Sequence, residues 1–122
     1  MKNKLVSYIR AGFAGLYVVT HEEVRAEALL KAAADDLGYG LYSWSMCSGI
    51  VNPQTGSVES ILDPVEAIEH LGSLPEKSML VLKDFHRFLG DAGQPASPLV
   101  LRSLREQIRR ARSAGKVIVV LG

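Results

Sequence analysis

Three groups of residues in this sequence have types and spacing that chemistry could use. Asp84 closes the apolar run Met79-Leu80-Val81-Leu82 after a single lysine, Lys83. An acid at the end of a buried strand can orient Mg²⁺ beside a phosphate. Glu22 and Glu23 follow Thr20-His21, where an apolar, β-branched run gives way to helix-forming residues. Arg102, Arg105, Arg109 and Arg112 recur at i, i+3, i+7 and i+10, with Arg110 beside them and Glu106 the one acid to offset them. That spacing makes a basic stripe on one helix, suited to an acidic partner surface. Each group also has a plainer reading. Many strands end in a structural aspartate, and Phe85 stands where a second acid would be needed to polarise water. An arginine row is often a solvated helix face.

Other chemistries find no support. His21, His70 and His86 show no H-x-x-x-H or Cys/His spacing, so no metal site is expected. Cys47 stands alone, which excludes an internal disulfide and fits a small apolar packing residue. No Ser–His or Cys–His arrangement is evident. A formal charge of +1 gives no overall pull toward nucleic acid or membrane. Lys2 and Lys4 precede apolar residues as in a signal peptide, but Arg10 interrupts that run. No apolar run approaches the roughly 20 residues of a membrane span. A cytoplasmic location is expected.

The elements that must position these residues follow from periodicity. Gly15 to Thr20 is a continuous apolar strand, and a helix from about His21 to Leu37 buries Ala26, Leu29, Leu30, Ala33 and Leu37. Thr20 and Glu23 have capping-box spacing, predicted to satisfy that helix's first N–H groups. Leu41 to Cys47 alternates Tyr42, Trp44 and Met46 with Ser43 and Ser45, predicting a strand at a sheet edge with Trp44 as a packing residue. Residues 49–62 carry turn chemistry and predict a small hairpin or irregular excursion. Asp63-Pro64 opens a helix, Met79 to Leu82 is a third strand, and residues 90–97 form a surface loop. Ser97-Pro98 opens the arginine helix, with Leu101, Leu104, Ile108 and Ala111 as its buried stripe. Gly115 ends it, and Lys116 to Leu121 is a fourth strand. Strands alternating with helices predict one α/β domain over residues 1–122, built on a parallel sheet. The Leu16–Thr20 strand would keep one side unpaired. Two expectations follow: a fragment ending after the fourth core strand of a longer chain, or an edge covered by another copy.

This order reads like the three-layer core of a P-loop nucleotide-binding protein. Such a core would carry G-x-x-x-x-G-K-[ST] between its first strand and helix, where backbone N–H groups and a lysine hold phosphates. Thr20, His21, Glu22 and Glu23 occupy that position here, and the glutamates put negative charge where a phosphate would sit. Asp84 resembles the Walker B aspartate, in a degenerate setting. Further residues join these: Ile9-Arg10, Leu16-Tyr17-Val18-Val19, Trp44-Ser45 with Gly49, Asp63-Pro64, the run Val81 to Leu89, Leu104-Arg105, and Val117 to Leu121. Together they resemble the N-terminal domain of the AAA+ ATPase family named after a conserved plastid reading frame of unknown function, and Leu-Lys-Asp-Phe-His is the most specific stretch. The resemblance implies a catalytically inactive, Walker A-less domain, an interaction or regulatory module. In longer relatives a catalytic AAA+ module follows, and ATP and Mg²⁺ belong there; no cofactor is expected for this chain. The expected partners are that module or another copy of the domain.

Two other readings compete. In a stand-alone receiver-type phosphoacceptor, Asp84 would take the phosphate, with Glu22 and Glu23 near Mg²⁺. Receivers carry their acidic pair at the end of the first strand, though, and this chain has Thr20-His21 there. A nucleic-acid binder would use the Arg102–Arg112 face, which lacks interleaved aromatics.

Overall fold

A computed structural model describes residues 2–19, 22–52, 55–88 and 97–121, with the side chains of Lys2, His86 and Arg87 outside that description. The elements run α1 (Lys2–Arg10), β1 (Gly15–Val18), α2 (Glu23–Leu37), β2 (Gly40–Ser45), β3 (Gly49–Val51), β4 (Val58–Glu59), α3 (Pro64–His70), β5 (Ser78–Lys83), α4 (Pro98–Ala114) and β6 (Val117–Leu121). Short 3₁₀ turns follow α3 and β5, at Leu71–Ser73 and Phe85–Phe88. Among the described residues these strands form one six-stranded sheet, in the order β1-β6-β5-β2-β3-β4.

The centre of the sheet follows from its two most apolar strands. Every residue of Val117–Leu121 is buried, as are Ser78 to Leu82. Successive side chains of a strand point to opposite faces, so each strand feeds two cores. Met79, Val81, Val117, Val119 and Leu121 pack with Leu5, Val6 and Ile9 of α1 and with Ala26, Leu30, Ala33 and Ala34 of α2. Leu80, Leu82, Ile118 and Val120 pack on the other face with Trp44, with Ala67 and Ile68 of α3, and with Val100 and Ala111 of α4. Helices thus cover both faces, and fully burying one such aliphatic side chain contributes about 1.5–3 kcal/mol.

Local signals set the helix ends. Asp63 caps α3, its carboxylate accepting from the Glu66 N–H at 3.2 Å, with Pro64 opening the helix. The Ser97 hydroxyl accepts from the Val100 N–H at 3.4 Å to start α4. Gly38 and Gly115 end α2 and α4 in the left-handed conformation, with φ of 73° and 67°.

The structure corrects four expectations. The sheet is mixed: β1, β6, β5 and β2 are mutually parallel, but β3 runs antiparallel to β2, and β4 antiparallel to β3. Consequently β2 is an interior strand, held between β5 and β3 rather than at an edge. Its alternation reports what covers each face, not what pairs along its length. α2 begins at Glu23, two residues later than predicted, with Glu22 at the capping position and no side-chain cap bond. The Thr20 of the predicted Thr20–Glu23 capping box, with His21, lies outside the described residues. In α4 the most buried row is Val100, Ser103, Gln107 and Ala111, while Leu101, Leu104 and Ile108 are half-buried. The predicted loop at 90–97 lies outside the described residues up to residue 96.

Candidate functional site

The junction between β1 and α2 is where a parallel α/β sheet places ligands, outside the carboxyl ends of its strands. β1 ends at Val18, and Val19 is 76% exposed. Glu22 and Glu23, both exposed, start the helix. Arg25 on the first turn reaches back to the Glu22 carboxylate at 3.4 Å. Beside them lies a cleft of about 230 Å³ lined by Leu5, Val18, Val19, Ala26 and Leu29 with this charged pair at its rim. Its walls are apolar, and the helix start presents carboxylates where an anion would need N–H groups.

The end of β5 is closed in a different way. Lys83 is half-buried and places its Nζ 3.0 Å from Glu27 of α2, so an ion pair spans from the strand end to the helix. No local motif marks Glu27 as the partner of Lys83. Asp84 is exposed and takes a left-handed conformation, φ 54°. Aspartate tolerates that conformation better than most residues because its short polar side chain can bond locally. The turn drives Phe85 to full burial, edge-on to Trp44 with ring centroids 5.8 Å apart and 5.2 Å from Phe88. Trp44 is itself fully buried and donates its indole N–H to the Ile61 carbonyl at 2.7 Å. Asp84 thus stands at a turn that docks an aromatic cluster. Among the described residues no three His, Cys, Asp or Glu side chains converge as metal ligands would.

The arginine row is exposed throughout, and the structure divides it. Arg102 lies 3.8 Å from Glu106 on its own helix. Arg105, Arg109 and Arg112 line a cleft of about 410 Å³ whose other wall is the α1–β1 connection, Ala11 to Gly15. Arg110 turns to the opposite side, into a cleft with Glu69 and Lys116. The buried Lys116 donates there to the Leu71 carbonyl at 3.0 Å. Gly15 lies so close to α4 that a Cβ on it would stand 2.7 Å from the Ile108 Cδ1. An intramolecular pairing of the arginines with the acids of α2 is excluded, because α2 and α4 cover opposite faces of the sheet.

A mixed six-stranded sheet with helices on both faces defines an α/β domain. The whole chain, residues 1–122, matches the family described as the N-terminal domain of SpoVK-like AAA ATPases, and it belongs to that family. It is similar to the AAA domain-containing protein ycf46 of Guillardia theta, 30% identical over 116 residues, covering 93% of this chain and 22% of that protein. The ycf46 protein of Gracilaria tenuistipitata var. liui is 25% identical over 122 residues, covering 98% of this chain and 24% of the relative. The chain therefore spans under a quarter of the length of these curated relatives. No solved structure matches. No helix among the described residues is long and apolar enough to cross a membrane.

Proposed function

We propose that this domain is a catalytically inactive, P-loop-like interaction or regulatory module of an AAA ATPase, working in the cytoplasm beside a separate catalytic module. The parallel strands β1, β6, β5 and β2 serve as a nucleotide-binding type of core whose two phosphate-handling positions have been given over to other uses. The observation that carries this reading is the Lys83–Glu27 ion pair at 3.0 Å, with Asp84 turned outward in a left-handed turn beside it. The cation at the end of β5 is engaged with α2, and the acid is turned outward at a left-handed turn. Glu22 and Glu23 at the start of α2 add repulsion for a phosphate. Titration calorimetry with Mg²⁺-ATP and Mg²⁺-ADP tests the reading, with Asp84→Ala as control. No heat of binding up to millimolar nucleotide is expected in either protein; saturable binding lost in Asp84→Ala overturns it.

A further inference from the structure

The cleft that Arg110 enters lies between α3 and α4, beside Lys116 at the amino end of β6. Asp84 and Glu22 stand at the opposite, carboxyl ends of the parallel strands. The side of α4 that lines this cleft is also turned away from Gly15 and β1. Its volume of about 340 Å³ falls within the range of small-molecule sites. Two of the polar side chains lining it are buried and have donors to spare. Lys116 is 9% exposed and donates to the Leu71 carbonyl at 3.0 Å and the Gly72 carbonyl at 3.4 Å, closing the turn after α3. An ammonium has three N–H groups, so one remains. No carboxylate comes within ion-pair distance of it among the described residues. Gln107 is 6% exposed, lines the same cleft, and its amide makes no hydrogen bond among the described residues. Buried amides nearly always have partners, so this one is free for a group seated in the cleft.

Charge and shape narrow the occupant. Lys116 and Arg110 set against Glu69 leave one net positive charge in the cleft. A single carboxylate cancels it, whereas a phosphate dianion would bring a second negative charge beside Glu69, and a polyphosphate more. The exposed Arg110 makes no ion pair among the described residues, and its planar guanidinium matches a carboxylate with two parallel bonds. The remaining wall is apolar, from Leu71, Ala111 and Ala114. We propose that the cleft between α3 and α4 binds a small organic monocarboxylate. Lys116, Gln107 and Arg110 hold its carboxylate, and its short apolar body lies against Leu71, Ala111 and Ala114. A buried ammonium without a counter-charge thereby gains one on binding. This site goes beyond the interaction-module reading and does not rest on it.

The test titrates the 122-residue chain with sodium butyrate at fixed ionic strength, with butyramide as the uncharged counterpart and inorganic phosphate as a different anion. Nitrogen–proton correlation spectra read the Gln107 side-chain amide and the backbone amides of Gly72 and Lys116. Butyrate is expected to shift these signals saturably in the millimolar range and to leave those of α2 unmoved. Arg110→Gln alters an exposed side chain and should weaken binding roughly tenfold. Gln107→Leu should also weaken it while keeping or raising the melting temperature, because an unpaired buried amide is replaced by an apolar group. A lowered melting temperature there would mean that the amide is already bonded within the chain, and overturns the proposal. Equal shifts with butyramide, equal or tighter binding of phosphate, or no shift up to about 50 mM butyrate overturn it too. Gln107 shifts that grow with protein concentration in the absence of butyrate would put a carboxylate of another copy in the cleft, and overturn it as well.

Discussion

The sheet finishes its two edges in opposite ways. Beyond β2 it ends in the antiparallel hairpin β3–β4, whose outer strand is only Val58–Glu59. A two-residue edge strand carrying a charge offers little backbone for another chain to pair with. The hairpin is also fastened down. Trp44 bonds the Ile61 carbonyl just after β4, and Gly49 packs so closely that a Cβ would collide with the Glu59 and Ile61 backbone. Beyond β6 the other edge, β1, has a longer run of backbone, exposed Tyr17 and Val19, and no hairpin over it among the described residues. One edge is built to refuse a neighbour. The other presents backbone that is unpaired among the described residues.

The largest effect should come from undoing the fastened edge. Trp44→Ala removes a fully buried aromatic that packs on Phe85 and Phe88, and it orphans the Ile61 carbonyl. A loss of about 3–5 kcal/mol in urea unfolding is expected. A loss below about 1 kcal/mol would mean that the hairpin edge is as loose as β1, and the comparison fails. Gly49→Ala is the next strongest. Its φ of 75° strains any L side chain, and the added methyl meets backbone rather than a yielding side-chain end. We expect a cost of about 1–3 kcal/mol, with faster amide exchange confined to Ile50 and Val51. Exchange that quickens throughout the sheet would show that the hairpin is part of the main cooperative unit instead.

How much of this was legible before the structure depends on which force decided each element. β5 and β6 could be read directly, because a strand buried on both faces must be apolar without interruption, and Leu80-Val81-Leu82 and Val117 to Leu121 are. The caps at Asp63 and Ser97 were legible for a similar reason, since oxygen-bearing residues before proline have one common use. The place of β2 was not legible. Ser43 and Ser45 suggested exposure, but strand pairing is carried by backbone groups that every residue has. The start of α2 was legible only to within two residues, because Glu22 and Glu23 suit a first helical turn equally well and the structure puts the N-cap at Glu22. The arginine row was visible as a stripe. The clefts its members line depend on the approach of residues 11–15 to α4, a contact between distant segments that no spacing encodes. Asp84 illustrates the same limit from the side of chemistry: its residue type fits a metal ligand and a left-handed turn, and its φ of 54° is set by the fold rather than by any spacing.

The smallest expected effect sharpens the comparison most. Tyr17 sits mid-strand in β1, half of its surface in solvent, on the flank that Arg105, Arg109 and Arg112 also border. If this edge is free in the chain alone, Tyr17→Lys deletes little packing and leaves the β6 ladder intact, because Tyr17 bonds toward the open side. Its stability in urea should then change by no more than about 0.5 kcal/mol. The added cation lies beside an already basic flank, so salt should slightly favour the variant over the parent by screening that repulsion. A loss above about 1 kcal/mol would show that Tyr17 is held by packing in solution. β1 would then be a fastened edge like the β3–β4 hairpin, and the asymmetry between the two ends of the sheet would vanish with it.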